Sequence, residues 1–226
     1  MPLQLGSSGG WAPLKNLSAG STPVVSAILA TENGLVELWR STPGLPAPVT
    51  ENGRIAAPAW ALYADLILIG GGGGGSGGNG GNGAGGSKGS PGEWSQTSRV
   101  MKPGLELIVS IGAGGKGGTA NNVGPGSPGG TTKVSASDSS WMLSAAGGAP
   151  GVGTSTGQGD AYAPSLYRFT GGGEPWEVTG GGAGRYNLNG PIPGGGGGQG
   201  DGGIFNGAQA GRPGGRGQVW VRFRPG

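Results

Sequence analysis

The side chains that most often carry chemistry are missing or scattered in this sequence. It contains no histidine and no cysteine, so the commonest general base, the thiolate nucleophile and the softer metal ligands are absent. Outside the first fifty-odd residues the carboxylates are Asp65, Glu93, Glu106, Asp138, Asp160, Glu174, Glu177 and Asp201. Glu174 and Glu177 flank Pro175 and Trp176. Two carboxylates beside an aromatic ring are what a glycoside hydrolase needs, one as acid and one as base or nucleophile; a solvated loop is the plainer reading. Gly112-Ala-Gly-Gly-Lys-Gly117 fits G-x-G-x-x-G behind an apolar strand. That fingerprint requires a helix to open there and an acid about 20 residues further on. Gly118 to Pro125 cannot form that helix. Neither Lys88 nor Lys116 closes a phosphate loop, and no G-x-S-x-G elbow is present. The expectation is a protein that is not an enzyme, with no catalytic residue, cofactor or metal.

Charge points the same way. The net charge is +3, and no run of five like charges exists. Arg212, Arg216, Arg222 and Arg224 cluster late; they read as solubilising residues on a terminal strand rather than as a nucleic-acid face. The longest apolar run, near Ala61 to Ile69, contains Asp65 and is too short to span a bilayer. Residues 1–10 lack a basic start followed by an apolar stretch. No nucleic-acid partner and no membrane insertion are expected.

Binding is the remaining chemistry, and aromatics are its best carriers. Trp94, Tyr162, Tyr167, Trp176 and Tyr186, with Phe169 and Phe205, fall between glycine tracts and outside the clear strand patterns. Aromatics on loops held by a rigid scaffold favour recognition, sugars included. The first five are the candidate receptor-binding residues. The alternative is that these rings cap the scaffold or fill a small core.

The elements that must position them are unusual. Glycine makes up 60 of 226 residues, against about 7% in ordinary proteins, a composition that normally reads as disorder. Extended apolar segments nevertheless recur and run into the glycine tracts: Ala59 to Ile69, Leu105 to Ile111, Lys133 to Ala136, Trp141 to Ala146, and finally Gln218 to Arg224. The last alternates Val219, Val221 and Phe223 on one face with Trp220, Arg222 and Arg224 on the other. No segment carries a helical apolar stripe. Pro23 to Leu29 and Leu35 to Trp39, separated by Asn33-Gly34, read as a β-hairpin. Residues 1–40 form an N-terminal docking segment, 41–55 a Pro-rich linker, and 56–226 a glycine-rich domain. Within that domain glycine falls at every third position from Gly71 to Gly92 and again at Gly211, Gly214 and Gly217. A threefold period matches a polyproline-II-type helix with one bare edge, along which other helices can approach and hydrogen-bond. The fold expected is all-β: a short hairpin, then a β-sandwich-like domain interleaved with polyglycine-II helices. Collagen would need longer Gly-X-Y runs and more proline; a flexible linker would not need the interspersed tryptophans.

The succession Leu66 to Gly75, Leu107 to Gly118, Gly129 to Val134, Leu143 to Ala149 and the closing Gly217 to Phe223 resembles the glycine-rich domain of phage tail proteins. That domain is frequent at the C-terminus of minor tail proteins of phages that infect actinobacteria. The resemblance implies a structural protein of the virion, at the tail tip or tail fibre, contributing to host attachment. The implied partners are other phage tail proteins and host cell-envelope glycan; trimers are common in tail fibres, which leaves a homotrimer open. The segment ending Leu35 to Trp39 is similar to one that precedes the glycine-rich part in such proteins, so Val25, Ile28, Val36, Leu38 and Trp39 are the candidates for docking on the virion. Polyglycine sandwiches also occur in long-tail-fibre adhesins of T-even-like phages, where distal loops select the receptor; no functional residue carries over from them. The rival readings are an architectural tail protein without host contact, an ice-binding protein, a depolymerase using Glu174 and Glu177, and a Gly/Arg nucleic-acid-binding tail.

Overall fold

The computed structural model describes residues 4–7, 10–13, 18–19, 22–23, 26–31, 34–40, 42–155, 164–203 and 207–225. Three antiparallel hairpins come first: β1 (Gln4–Ser7) with β2 (Gly10–Pro13), β3 (Ser18–Ala19) with β4 (Thr22–Pro23), and β5 (Ser26–Thr31) with β6 (Gly34–Arg40). The last is the hairpin expected from the sequence. Its register puts Gly34 on the ladder opposite Thr31, so Gly34 ends the turn instead of lying within it. Leu38 falls between the Ala27–Trp39 and Ile28–Glu37 pairs and forms a bulge.

The glycine-rich part carries β7 (Ala47–Val49), β8 (Gly53–Ala56), β9 (Tyr63–Ile69), β10 (Trp94–Val100), β11 (Glu106–Ser110), β12 (Thr132–Ala136), β13 (Met142–Ala145), β14 (Ser165–Phe169), β15 (Trp176–Gly180) and β16 (Gln218–Arg224). Two four-stranded antiparallel sheets form, in the orders β10-β9-β16-β7 and β13-β12-β11-β8. Leu66, Leu68, Val219 and Val221 of the first share a buried cluster with Leu107, Val109 and Val134 of the second, so the sheets stack as a sandwich. The outer face of the first sheet is covered in turn: Ile67, Ile69 and Trp220 pack with Phe169, Trp176 and Val178 of the β14–β15 hairpin. Strand β9 is therefore apolar on both faces because both faces are buried. The described residues are all-β, and no helix among them is long and apolar enough to cross a membrane.

Two expectations need correction. Residues 47–56, read as linker and domain edge, supply the edge strands β7 and β8 of the two sheets. Pro48 pairs with Trp220 on such an edge, where a missing N–H costs no ladder bond. The aromatics read as loop residues lie on strands: Trp94 opens β10, Tyr167 and Phe169 belong to β14, and Trp176 opens β15. Their strands lack the apolar run that marks the central ones.

Beyond the sheets the chain continues as extended glycine segments, and their hydrogen bonds step by three residues. In residues 70–79 the N–H groups of Gly70, Gly73 and Ser76 donate to the carbonyls of Glu93, Ser90 and Ser87. Those of Gly71, Gly74 and Gly77 donate to Gly130, Ser127 and Gly124, and those of Gly72, Gly75 and Gly78 to Gly215, Arg212 and Gln209. The carbonyls of Gly71, Gly72 and Gly73 accept from Gly148, Gly115 and Gly197, and those of Gly74, Gly75 and Ser76 from Gly151, Gly118 and Gly200. One segment is thus ringed by six: 84–93, 124–130 and 209–217 run antiparallel to it, and 112–119, 146–152 and 194–201 run parallel. Adjacent ring members also bond to each other, as in Gly130 N–H to Ala113 and Gly211 N–H to Gly118. This is a polyglycine-II bundle, in which peptide groups absent from any ladder are satisfied between helices. The threefold run from Gly71 to Gly92 is two antiparallel helices joined by a turn at 80–83.

Close approach explains the glycines. A Cβ on Gly72 would lie 1.9 Å from the Gly195 oxygen, and one on Gly74 would lie 2.0 Å from the Lys116 oxygen. Where a helix is surrounded, its three rows are bare, as in 194–198 and in 70–78 apart from the small, fully buried Ser76. Where one row faces out, that row carries side chains: Ala113, Lys116 and Thr119 are exposed. Proline uses the same geometry. Segment 124–130 donates through Gly126, Ser127, Gly129 and Gly130, and 209–217 through Gln209, Gly211, Arg212, Gly214, Gly215 and Gly217. Pro125, Pro128 and Pro213 fall on the remaining row, where no donor is used and a fixed φ suits the helix.

Candidate functional site

Segments 70–79, 112–119 and 146–152 follow directly on β9, β11 and β13 and run parallel. The connections 80–83 and 120–123, with residues 202–203 and 207–208, therefore lie at the end of the bundle away from the sandwich. Left-handed backbone occurs at this tip: φ is positive at Gly83 (71°), Asn121 (72°), Val123 (50°) and Gly207 (75°), and of these only Val123 is a residue that resists it. A left-handed φ at a β-branched residue such as Val123 is uncommon, and such outliers concentrate at functional positions. The tip is also rich in primary amides. Asn79 Oδ1 accepts the Gly81 N–H at 2.7 Å, and Asn82 Oδ1 accepts the Ala84 N–H at 3.1 Å. Bridges link Asn79 to Asn121 and Asn122 across two connections, and Asn82, Asn121 and Asn122 are exposed.

Just below the tip, residues 185–188 turn against the bundle. Arg212 Nε donates to Asn187 Oδ1 at 2.8 Å, and Asn187 Nδ2 donates to Gln209 Oε1. Burial, aided by its hydrogen bond to the Asp201 carboxylate, pushes the half-buried Tyr186 phenol up to about 12. The groups gathered here, amide, guanidinium, carboxylate and phenol, are those that hydrogen-bond polyhydroxylated ligands, with one aromatic face beside them. Tyr186 is thus the one described receptor-binding candidate that lies near the tip.

The others have a different setting. Trp94 stacks on Tyr167 at 4.8 Å between centroids and on Trp220 at 5.7 Å, and its Nε1 donates to Ser165 Oγ at 3.1 Å. Trp176 is buried and stacks on Phe169 at 5.5 Å. These rings join the β14–β15 hairpin to the sandwich. Tyr162 and Phe205 lie outside the described residues. Of the docking candidates, Ile28 is 59% exposed on β5, Val36, Leu38 and Trp39 lie on β6, and Val25 lies outside the described residues.

The sequence reading missed a buried ion cluster. Asp65, the third residue of β9, is fully buried; Arg222 Nη2 meets its Oδ2 at 2.8 Å and Arg224 Nε its Oδ1 at 3.1 Å. Ser98 Oγ also donates to Asp65 Oδ1, at 2.7 Å. The two guanidiniums lie over rings, Arg222 on Phe169 and Trp176, Arg224 on Tyr63, so aromatic faces offset the second positive charge. Two of the four late arginines are therefore structural, which corrects their reading as solubilising residues. The signal was the single acid in an apolar run and the arginines on the alternating face of the last strand. Glu177 faces Arg168 at 3.9 Å with both side chains largely exposed. Among the described residues no three acidic side chains gather where they could hold a metal.

The family model described as a glycine-rich domain matches residues 49–224, and the chain belongs to that family. The match begins at the last residue of β7 and takes in the rest of the sandwich and the bundle. No curated protein matches the chain.

Proposed function

From its membership of the glycine-rich domain family and from the shape of its tip, we propose that this chain is a structural protein of a bacteriophage virion. In this reading it sits at the tail tip or tail fibre, and the loops closing the bundle contribute to host-surface attachment. The observation that carries the proposal is the pairing of a peptide-bonded bundle with short, amide-rich connections at its far end. Nine residues of polyglycine II reach roughly 28 Å at about 3.1 Å each, enough to hold those connections clear of a docked base. The donors and acceptors around Tyr186, Asn187, Gln209 and Arg212 suit envelope glycan as the partner. The resemblance to tail proteins of actinobacteria-infecting phages supplies the virion; other tail proteins are the partners proposed for the N-terminal hairpins, and no reaction is part of the reading.

The test is adsorption of virions in which residues 80–83 and 120–123 are exchanged for Gly/Ser turns of equal length. Assembly should be retained and adsorption to host cells should fall. A second reading, a tail protein without host contact, is favoured by the placement of Trp94, Tyr167 and Trp176 between layers instead of on the surface. It predicts unchanged adsorption from the same virions. If antibody labelling in the electron microscope finds the chain absent from virions, both readings fail.

A further inference from the structure

The tip contains a bond arrangement that can change covalently without any enzyme. Asn-Gly pairs occur at 52–53, 79–80, 82–83 and 189–190 among the described residues. In such a pair the glycine nitrogen can attack the asparagine side-chain carbonyl, because no Cβ on the following residue obstructs it. The four pairs are held very differently. Asn52 Oδ1 accepts the Ile111 N–H at 2.7 Å, just past the end of β11, which ties the side chain to a distant segment instead of to its own turn. The nucleophile of the 189–190 pair is engaged and enclosed: Gly190 is buried and its N–H donates to Pro213 at 2.8 Å. Asn79 ends the packed central helix; its own N–H donates to Ala84 at 2.8 Å, and bridges to Asn121 and Asn122 hold it from the other side. Asn82 alone of the four combines exposure, a following glycine at φ 71°, and a place inside a turn instead of at a packed end.

A contact that assists the reaction stands at both tip pairs, since Asn79 Oδ1 likewise accepts the Gly81 N–H at 2.7 Å, so the choice of Asn82 rests on its exposure and its place in the turn. Asn82 Oδ1 accepts the Ala84 N–H at 3.1 Å. During attack on Cγ the negative charge develops on that oxygen, so the Ala84 N–H acts as a one-donor oxyanion site. We propose that Asn82–Gly83 is a self-modifying site, at which the amide is lost spontaneously through a succinimide. A water-derived base takes the Gly83 amide proton, and the Gly83 nitrogen bonds to Cγ. The Cγ–Nδ2 bond then breaks, and nitrogen leaves as ammonia after taking a proton from water. Water opens the imide at either carbonyl, giving an aspartyl linkage or an isoaspartyl linkage in which the main chain runs through Cβ. The sum is asparagine plus water giving acid plus ammonia, with no change of oxidation state. One carboxylate then stands where an amide stood, on the face proposed to meet the host. That consequence rests on the attachment reading, whereas the chemistry does not.

The experiment is timed incubation of the purified full chain at mildly alkaline pH, followed by tryptic peptide mass spectrometry. The peptide between Arg54 and Lys88 holds both Asn79 and Asn82, and fragment ions separate them. Exchange of the amide for acid is expected at Asn82, with both linkage isomers present, while Asn52, Asn79 and Asn189 keep their amides over the same interval. Denatured chain should lose this selectivity. Retention of the amide at 82, or equal conversion at the other sites in folded protein, would overturn the proposal. Gly83→Ala should suppress conversion; because that position has a left-handed φ, Asn82→Gln serves as the variant with an undisturbed backbone and should also abolish it. Conversion seen by mass with no change in host adsorption would leave the chemistry standing and count against the attachment reading alone.

Discussion

Asp65 and Ser76 are both fully buried polar side chains, and each is satisfied. Removing one partner of a buried ion pair leaves the others uncompensated, a loss of about 3–5 kcal/mol. Asp65→Ala should therefore lower the denaturation midpoint sharply, and the double change with Arg222→Met should recover part of the loss in a double-mutant cycle. Ser76 Oγ donates to the Gly153 carbonyl at 2.8 Å and accepts the Ser87 N–H at 2.6 Å. Ser76→Ala should cost about 1–3 kcal/mol, because those buried groups lose their partner. Tyr186 makes a pH-dependent contribution. Its phenol is raised to about 12, so the protonated form is favoured in the folded chain. The associated stability is whole below the ordinary tyrosine value of about 10 and is lost as pH climbs through the folded value. Tyr186→Phe should flatten that alkaline part of the stability curve, as followed by denaturant melts across the range.

At the scale of elements, each glycine helix obeys a rule of neighbours, and the rule makes sharp predictions. Gly74→Ala would drive a methyl to 2.0 Å from the Lys116 oxygen, and backbone on both sides cannot yield. Its cost should exceed the roughly 1–3 kcal/mol typical of overpacking. Gly53 has nothing within 4 Å of its would-be Cβ, so Gly53→Ala should be neutral or stabilising by up to about 1 kcal/mol. Thermal melts of the two variants, side by side, check both. Amide exchange should show the same geometry residue by residue. Every N–H from Gly70 to Asn79 has an acceptor, whereas in 112–119 Gly115 and Gly118 donate into the bundle. Protection is expected throughout the first stretch and at every third residue of the second. Exchange at the unstructured rate in Gly71–Gly78 would refute the bundle itself.

These elements were legible in the sequence to unequal degrees. Strands β9, β11 and β16 announced themselves by apolar runs or period-two alternation, because their faces are buried by stacked sheets. The threefold glycine spacing announced the helices, because a bare row is a steric necessity between close backbones. What stayed hidden was pairing. Residues Trp94–Val100 read as polar and loop-like, since β10 is an edge strand with few buried positions. The hairpin β14–β15 was equally obscure, and its rings, read as binding candidates with packing as the alternative, lie against the outer face of the first sheet, which only the fold reveals. Arg222 and Arg224 looked like surface charge because their partner, Asp65, stands 157 and 159 residues away in sequence.

At the scale of the whole molecule, two kinds of cohesion meet end to end. The sandwich is held by burial of Leu, Ile and Val, which weakens on cooling and in urea. The bundle is held by peptide hydrogen bonds with almost no apolar side chains between its members. The hydrogen-bonded helices feed directly from the sheet strands, so the two should unfold together, and heat denaturation should give one transition with coincident probes for tryptophan and for glycine amides. Two separated transitions would make the bundle an independent unit.

The outward rows of the glycine helices have one more implication. Ala113, Lys116, Thr119, Pro125 and Pro128 touch solvent, while the contacts that specify the arrangement belong to main-chain atoms common to every amino acid. Most proteins store their identity in interlocking side chains, and drift at one position is felt by its neighbours. Here the flank is a blank page: its letters, three residues apart, can be rewritten without the binding beneath noticing. A lineage built on such a scaffold can explore new surfaces at little cost to its architecture, and variation among its descendants should gather on those rows and at the tip, leaving the bare rows untouched.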